Sequence, residues 1–169
     1  PHVALSVVCD LTLNLVERIQ KGELDLALIK REPLGPAVGV PVWREPLIWV
    51  GAGKDVIQPG APVPLVLAPA PCVYRKRATS ALDQVRRTWR PAYTSPSLTG
   101  QLAALRAGLG VTALPRGMAP ADMVEFSDQD GFPSLPDAEI ALIRGARNLS
   151  VAAERLSNFV LACLNSVAH

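Results

Sequence analysis

The chain has 169 residues, 49% of them hydrophobic, with a mean hydropathy of +0.23, enough apolar material for one domain or two small ones. Seventeen basic and fifteen acidic residues give a formal charge of +2 spread along the sequence, which makes this chain by itself a poor nucleic-acid binder, for which a basic face would be expected. No run approaches the ~18 apolar residues of a membrane span, so no membrane partner is expected.

Taken in order, Val3 to Val8 is a β-branched apolar run and predicts a strand buried on at least one face. Pro1 opens directly onto it, so no signal peptide is expected, and that opening reads as a processing boundary. Asp10 and Thr12 follow as helix-start residues, with Leu15, Val16 and Ile19 as the apolar side of a short helix closed by Lys21-Gly22. Leu24 to Ile29 returns as a second apolar strand, completing a βαβ unit with Lys30 and Arg31 just past its carboxyl end. Pro33 to Pro41 is a connector. Val42 to Val50 divides into two extended pieces at Arg44-Glu45-Pro46, and Gly51 to Pro64 is loop.

Leu65 to Ala68 predicts a strand, and Tyr74 to Trp89 a basic helix with Leu82, Val85 and Trp89 turned inward. From Tyr93 to Pro115 the chain has the order strand, polar turn, helix, glycine turn, strand. Ser95-Pro96 is a favourable helix start, since Ser accepts from free backbone N–H groups and Pro suits the first helical position. Leu98, Leu102, Leu105 and Leu109 mark one helical face. Gly108 and Gly110 bracket the stop, where the backbone is expected to need positive φ. Val111 to Leu114 then predicts a buried parallel strand. A short run at Met123 to Phe126, a strand over Ala138 to Ile143 and an amphipathic helix over Leu149 to Val167 complete the chain.

Two groups of βα units emerge, residues 1–43 with 138–169 and residues 44–137, joined by two crossings. This arrangement predicts an α/β protein of two Rossmann-like subdomains with a cleft between them. Cys9, Cys72 and Cys163 are odd in number and in no metal-binding spacing; they are expected to be reduced, packed as small hydrophobes, in a cytoplasmic protein. Neither a metal nor a cofactor is expected. There is no GxSxG, Walker A or HExxH motif, and Gly108-Leu109-Gly110 follows a helix rather than opening one. With His2 and His169 both terminal, a histidine acid/base mechanism is not expected, and the chain is not read as an enzyme.

Three segments resemble the effector-binding half of LysR-type transcriptional regulators. They are Gly22-Glu23-Leu24-Asp25-Leu26-Ala27-Leu28, Glu45-Pro46-Leu47-Ile48-Trp49-Val50, and Leu105-Arg106-Ala107-Gly108-Leu109-Gly110-Val111-Thr112-Ala113-Leu114-Pro115. They stand in the family's order over nearly the whole chain, and Tyr93 to Gly100 is similar to the PecT/HexA-like branch. The resemblance implies a type 2 periplasmic-binding-protein-like fold, a small-molecule effector in the interlobe cleft, and a role in transcription. It also implies a homodimer or tetramer in the full-length protein, with DNA bound only through an N-terminal winged helix-turn-helix that these residues do not include. The first strand and helix of the first subdomain are expected to be missing too.

Candidate effector residues lie on the rims of the βα turns. Thr12 stands where family members often place an effector-facing hydroxyl; a plain helix cap is the other reading. Ser95, Ser97 and Thr99 make the same case in the second subdomain, one of them as a cap. Lys30 and Arg31 are either cations for an effector carboxylate or a solvated turn. Tyr74 and Arg75 open a helix whose cations oppose its dipole unless an anion sits over its N-terminus. Asp25 is expected to serve structure, and Trp43 and Trp49 to pack. The expected function is a ligand-sensing regulatory domain for a small anionic effector. The alternative is a transport-type solute-binding protein, and a small α/β enzyme is the third option, for which no titratable cluster can be assembled.

Overall fold

The computed structural model describes residues 3–31, 39–145 and 148–167, with side chains to residue 163. His2, His169 and most of the Pro33–Pro41 connector lie outside the described residues. The chain divides into two compact units, Pro1–Arg44 with Ala138–His169, and Glu45–Asp137.

The first unit holds helix α1 (Thr12–Gln20), strands β1 (Leu26–Arg31), β2 (Val40–Glu45) and β8 (Ala138–Arg144), and helix α4 (Val151–Val167). Its sheet runs β1-β8-β2, and β1 lies antiparallel to β8 from Leu26↔Arg144 to Arg31↔Glu139. As the middle strand, β8 is apolar on both faces. Leu15 and Ile19 of α1 pack on Ala27, Ile29, Ala141 and Ile143, while Val42, Ile140 and Leu142 form the opposite face with Leu161 of α4. Arg144 anchors α4 by donating from Nε to Ser157 Oγ at 2.9 Å.

The expected first strand does not form. Residues 3–11 have no regular structure, and Val3, Leu5 and Val7 are 67%, 70% and 74% exposed. A β-branched run becomes a strand only where a neighbour completes its ladder and a layer covers its face. Among the described residues none pairs with this run, so the expected βαβ unit reduces to α1 followed by β1.

The second unit holds β3 (Leu47–Gly51), β4 (Val63–Leu67), α2 (Val73–Gln84), β5 (Trp89–Thr94), α3 (Leu98–Arg106), β6 (Val111–Pro115) and β7 (Val124–Phe126). Sheet order is β5-β4-β6-β3-β7. β4 is parallel to β5 and, at Leu65↔Val111, to β6; β3 is antiparallel to β6 and β7. The parallel expectation for β6 therefore holds on its β4 side only. Alternation along β4 separates two layers: Leu65 and Leu67 face Ala78, Ala81 and Leu82 of α2, and Val66 faces Ala104 and Leu105 of α3. Trp49 packs as expected, tilted against Phe132 with ring centroids 5.1 Å apart, its indole N–H donating to the Pro133 carbonyl at 2.8 Å.

Several local expectations change. α2 stops at Gln84, because Arg86 takes a left-handed φ of 55° and Arg87 N–H closes onto the Leu82 carbonyl. Val85 is consequently exposed, and Trp89 opens β5 instead of ending a helix. α3 begins at Leu98, capped by Ser97 rather than Ser95; Leu109 falls beyond the Gly108 turn and is exposed, so it is not part of the apolar face. Gly108 has φ 70° as expected, whereas Gly110 is needed for closeness instead: a Cβ there would meet the Pro64 carbonyl oxygen at 2.4 Å. Cys9 and Cys163 are exposed, not packed as core hydrophobes.

Candidate functional site

The parallel pair β4 and β5 ends in register, Leu67 opposite Thr94. The chain leaves β4 toward α2 and β5 on one side, then leaves β5 over α3 to reach β6 on the other side of β4. Right-handed crossovers in opposite directions put the two helices on opposite faces, as the cores show. Both helix N-termini therefore open at the carboxyl edge of the same strand pair, at a reversal of strand order, where open α/β sheets bind ligands.

Four of the expected residues meet at that edge. Ser95 N–H donates to the Leu67 carbonyl at 3.0 Å, and Arg75 Nη1 donates to the carbonyl of the next residue, Ala68, at 2.9 Å. Ser95 Oγ accepts from Ser97 N–H at 3.2 Å, and Ser97 Oγ caps α3 by accepting from Gly100 N–H at 3.4 Å. Gln101, buried on the first turn, donates from Nε2 to the Ser95 carbonyl at 2.8 Å and fixes the turn from below. Gly100 belongs to this packing, since a Cβ there would lie 2.8 Å from Ser95 Oγ. Thr99 is exposed on the first turn of α3. At the start of α2, Cys72 makes no side-chain cap.

Tyr74 takes a different role. Its side chain is buried and its hydroxyl donates to Glu45 Oε2 at 2.5 Å. Burial first, and then the hydrogen bond and the charge of Glu45, push the phenol well above its ordinary value, so it stays protonated as a donor.

In the first unit, Thr12 does not cap α1; its hydroxyl donates to the Lys30 carbonyl at 3.2 Å, joining the helix start to the carboxyl end of β1. Thr12 and Lys30 thus share one rim. Arg31 is turned to Glu139, whose carboxylate accepts from Arg31 Nε. Glu139 and Glu45 escaped the sequence reading. The partner of each is set by strand register or tertiary packing, 108 positions away for Arg31 and 29 for Tyr74. Among the described residues no cluster of His, Cys, Asp and Glu could hold a metal ion, and no helix is long and apolar enough to cross a membrane.

The fold and these rims define a type 2 periplasmic-binding-protein-like module. Residues 1–164 match the family model described as LysR substrate binding domain, and the chain belongs to that family. It is 31% identical over 144 residues to the HTH-type transcriptional regulator DgdR of Burkholderia cepacia, covering 84% of this chain and 48% of that protein. Against the HTH-type transcriptional regulator PecT of Dickeya dadantii (strain 3937) the identity is 26%, covering 85% of this chain and 45% of PecT. The chain spans about half the length of the curated relatives it matches. Among solved structures it is similar to the regulatory domain of Synechocystis PCC6803 CcmR in complex with 2-PG, with a TM-score of 0.66 at 14% identity, covering 91% of this chain and 80% of that one.

Proposed function

We propose that this chain is the effector-sensing part of a bacterial transcriptional regulator, taking a small anionic molecule as its signal. The observation that carries the reading is the convergence of two helix N-termini, the Arg75 guanidinium and the Ser95 and Ser97 hydroxyls on one edge of β4 and β5. The positive end of a helix dipole and a guanidinium both favour negative charge there. Thr12 and Lys30 supply a hydroxyl and a cation at the corresponding rim of the first unit, with Arg31 beside them. Tyr74 serves by position, holding the start of α2 through Glu45, and Thr99 offers a further hydroxyl.

The family and its named relatives support the regulatory role, and the Synechocystis regulatory domain with 2-PG supports a small-molecule signal. An effector that binds one conformation better than another shifts the population toward it. DNA contact, and assembly as a homodimer or tetramer, belong to the full-length cytoplasmic regulator, through a helix-turn-helix domain of the kind the relatives' names record.

The test is a thermal-shift screen of small carboxylates and organic phosphates, followed by calorimetry with any hit. Lys30→Ala and Arg75→Ala are each expected to weaken that hit about tenfold or more, the scale of one charge-assisted contact, with the domain still folded. Unaltered affinity in both variants would refute the anionic reading.

A further inference from the structure

Arg44 and Glu45 are the last residue of the first unit and the first of the second, and the chain returns between Asp137 and Ala138. Their side chains are tied in opposite directions. Arg44 Nε lies 3.7 Å from Glu139 Oε2, and Glu139 Oε1 accepts from Arg31, all within the first unit. Glu45 accepts from the Tyr74 hydroxyl, within the second. Glu139 is 6% exposed, so its carboxylate is stable only while paired. Arg31, itself largely buried, already supplies the charge. Arg44, with its side chain 70% exposed, is a second cation that charge balance does not require. What it adds is position, since Arg44 is the last but one residue of β2 and Glu139 the second residue of β8.

We propose that Glu139 is a clasp: through Arg31 and Arg44 it binds the exit and the return of the chain to β1, so that both crossings move as part of the first unit. Glu45, the last residue of β2, is held by Tyr74. The clasp sets how readily the strand ends at the two crossings open locally, and it is independent of which molecule the protein senses.

Hydrogen exchange of the unliganded protein, read amide by amide, tests this. Glu139→Gln removes both ion pairs and is expected to speed exchange at residues 43–45 and 138–139 by about tenfold, while amides of α1, β4 and β6 keep their rates, as local opening requires. Arg44→Ala leaves the Arg31 pair in place and is expected to give about a threefold rise at the same amides, the scale of one exposed ion pair, with Arg44→Lys restoring most of it. Unchanged exchange at those amides in Arg44→Ala, or a uniform rise across the first unit in Glu139→Gln, would overturn the proposal. If Glu139→Gln does not fold, the Arg44 pair of variants decides alone.

Discussion

Gly108 and Gly110 stand two residues apart in one turn, and the structure gives them different physical duties that mutation can separate. At Gly108 φ is 70° and a Cβ would meet nothing within 4 Å. The only cost of Gly108→Ala is thus the left-handed backbone, about 1 kcal/mol. Asn, which visits that region readily, should recover most of it. Gly108→Val adds β-branching to the same strain and should lose more, about 2 kcal/mol. Gly110 has no left-handed φ, but its Cβ would lie 2.4 Å from the Pro64 oxygen and 2.9 Å from the Pro64 carbonyl carbon. Side chains essentially never approach backbone within 3.0 Å, so β4 and β6 must part by over half an ångström in a close-packed sheet, next to their pairing at Leu65↔Val111. Overpacking of this kind costs about 3 kcal/mol. Urea unfolding, followed by the fluorescence of Trp49 in the same core cluster, reads both sites. The expected order of loss is Gly110→Ala, then Gly108→Val, then Gly108→Ala, with Gly108→Asn nearest the parent and Gly110→Asn no better than Gly110→Ala. If Gly110→Ala were as mild as Gly108→Ala, or if Asn rescued both sites equally, the division between close approach and backbone handedness would be refuted.

Tyr74→Phe leaves Glu45 without its hydroxyl donor and should cost about 1.5 kcal/mol, the low end for a bond to a charged group because Glu45 is half-buried; Glu45→Gln, which keeps a neutral acceptor, should cost less in the same urea experiment. Ser97→Ala removes the only side-chain cap of α3 and should lower stability by about 0.7 kcal/mol, less than a short cap because the bond is 3.4 Å long. The hydrogen bond from Lys54, followed by that from Ser127 N–H, holds the Asp130 carboxyl below its ordinary value of 3.8. Its contribution is therefore fully present above that value and is lost as pH falls through the lower, folded-state pKa. Asp130→Asn should accordingly destabilise at pH 7 and converge on the parent once pH has fallen below the lowered, folded-state pKa in acid-unfolding curves; a parallel offset at every pH would contradict this.

How far the sequence foretold these features depends on the range of the forces that set them. The α/β class, the break at Arg44-Glu45-Pro46 and the glycine turn after α3 follow from periodicity and local backbone preference, which act over a few residues. The failures share a longer-range cause. Val3 to Val8 carries every local mark of a strand, yet lacks a ladder partner among the described residues, and partnership is a property of the whole sheet. Val85 and Trp89 fit a helical face, but the left-handed turn at Arg86 decides otherwise, and nothing in a run of Val-Arg-Arg-Thr-Trp announces it. Ser95 and Ser97 were equally good caps by composition; the bond of Ser95 N–H to the Leu67 carbonyl assigns Ser95 to the strand edge and leaves the helix to Ser97. The candidate site follows the same rule. Hydroxyls and cations at strand ends are visible as types, but which of them are committed elsewhere is not. Arg31 and Tyr74 show the difference: each looked available to a ligand, and each has an acid facing it that lies far along the chain, Glu139 and Glu45. An acid between apolar residues, as Glu139 is between Ala138 and Ile140, is the one sequence signal that could have exposed the first of these pairs. Burying such a carboxylate unpaired is prohibitive, so its presence predicts a basic or hydroxylic partner somewhere in the fold even before the partner can be named.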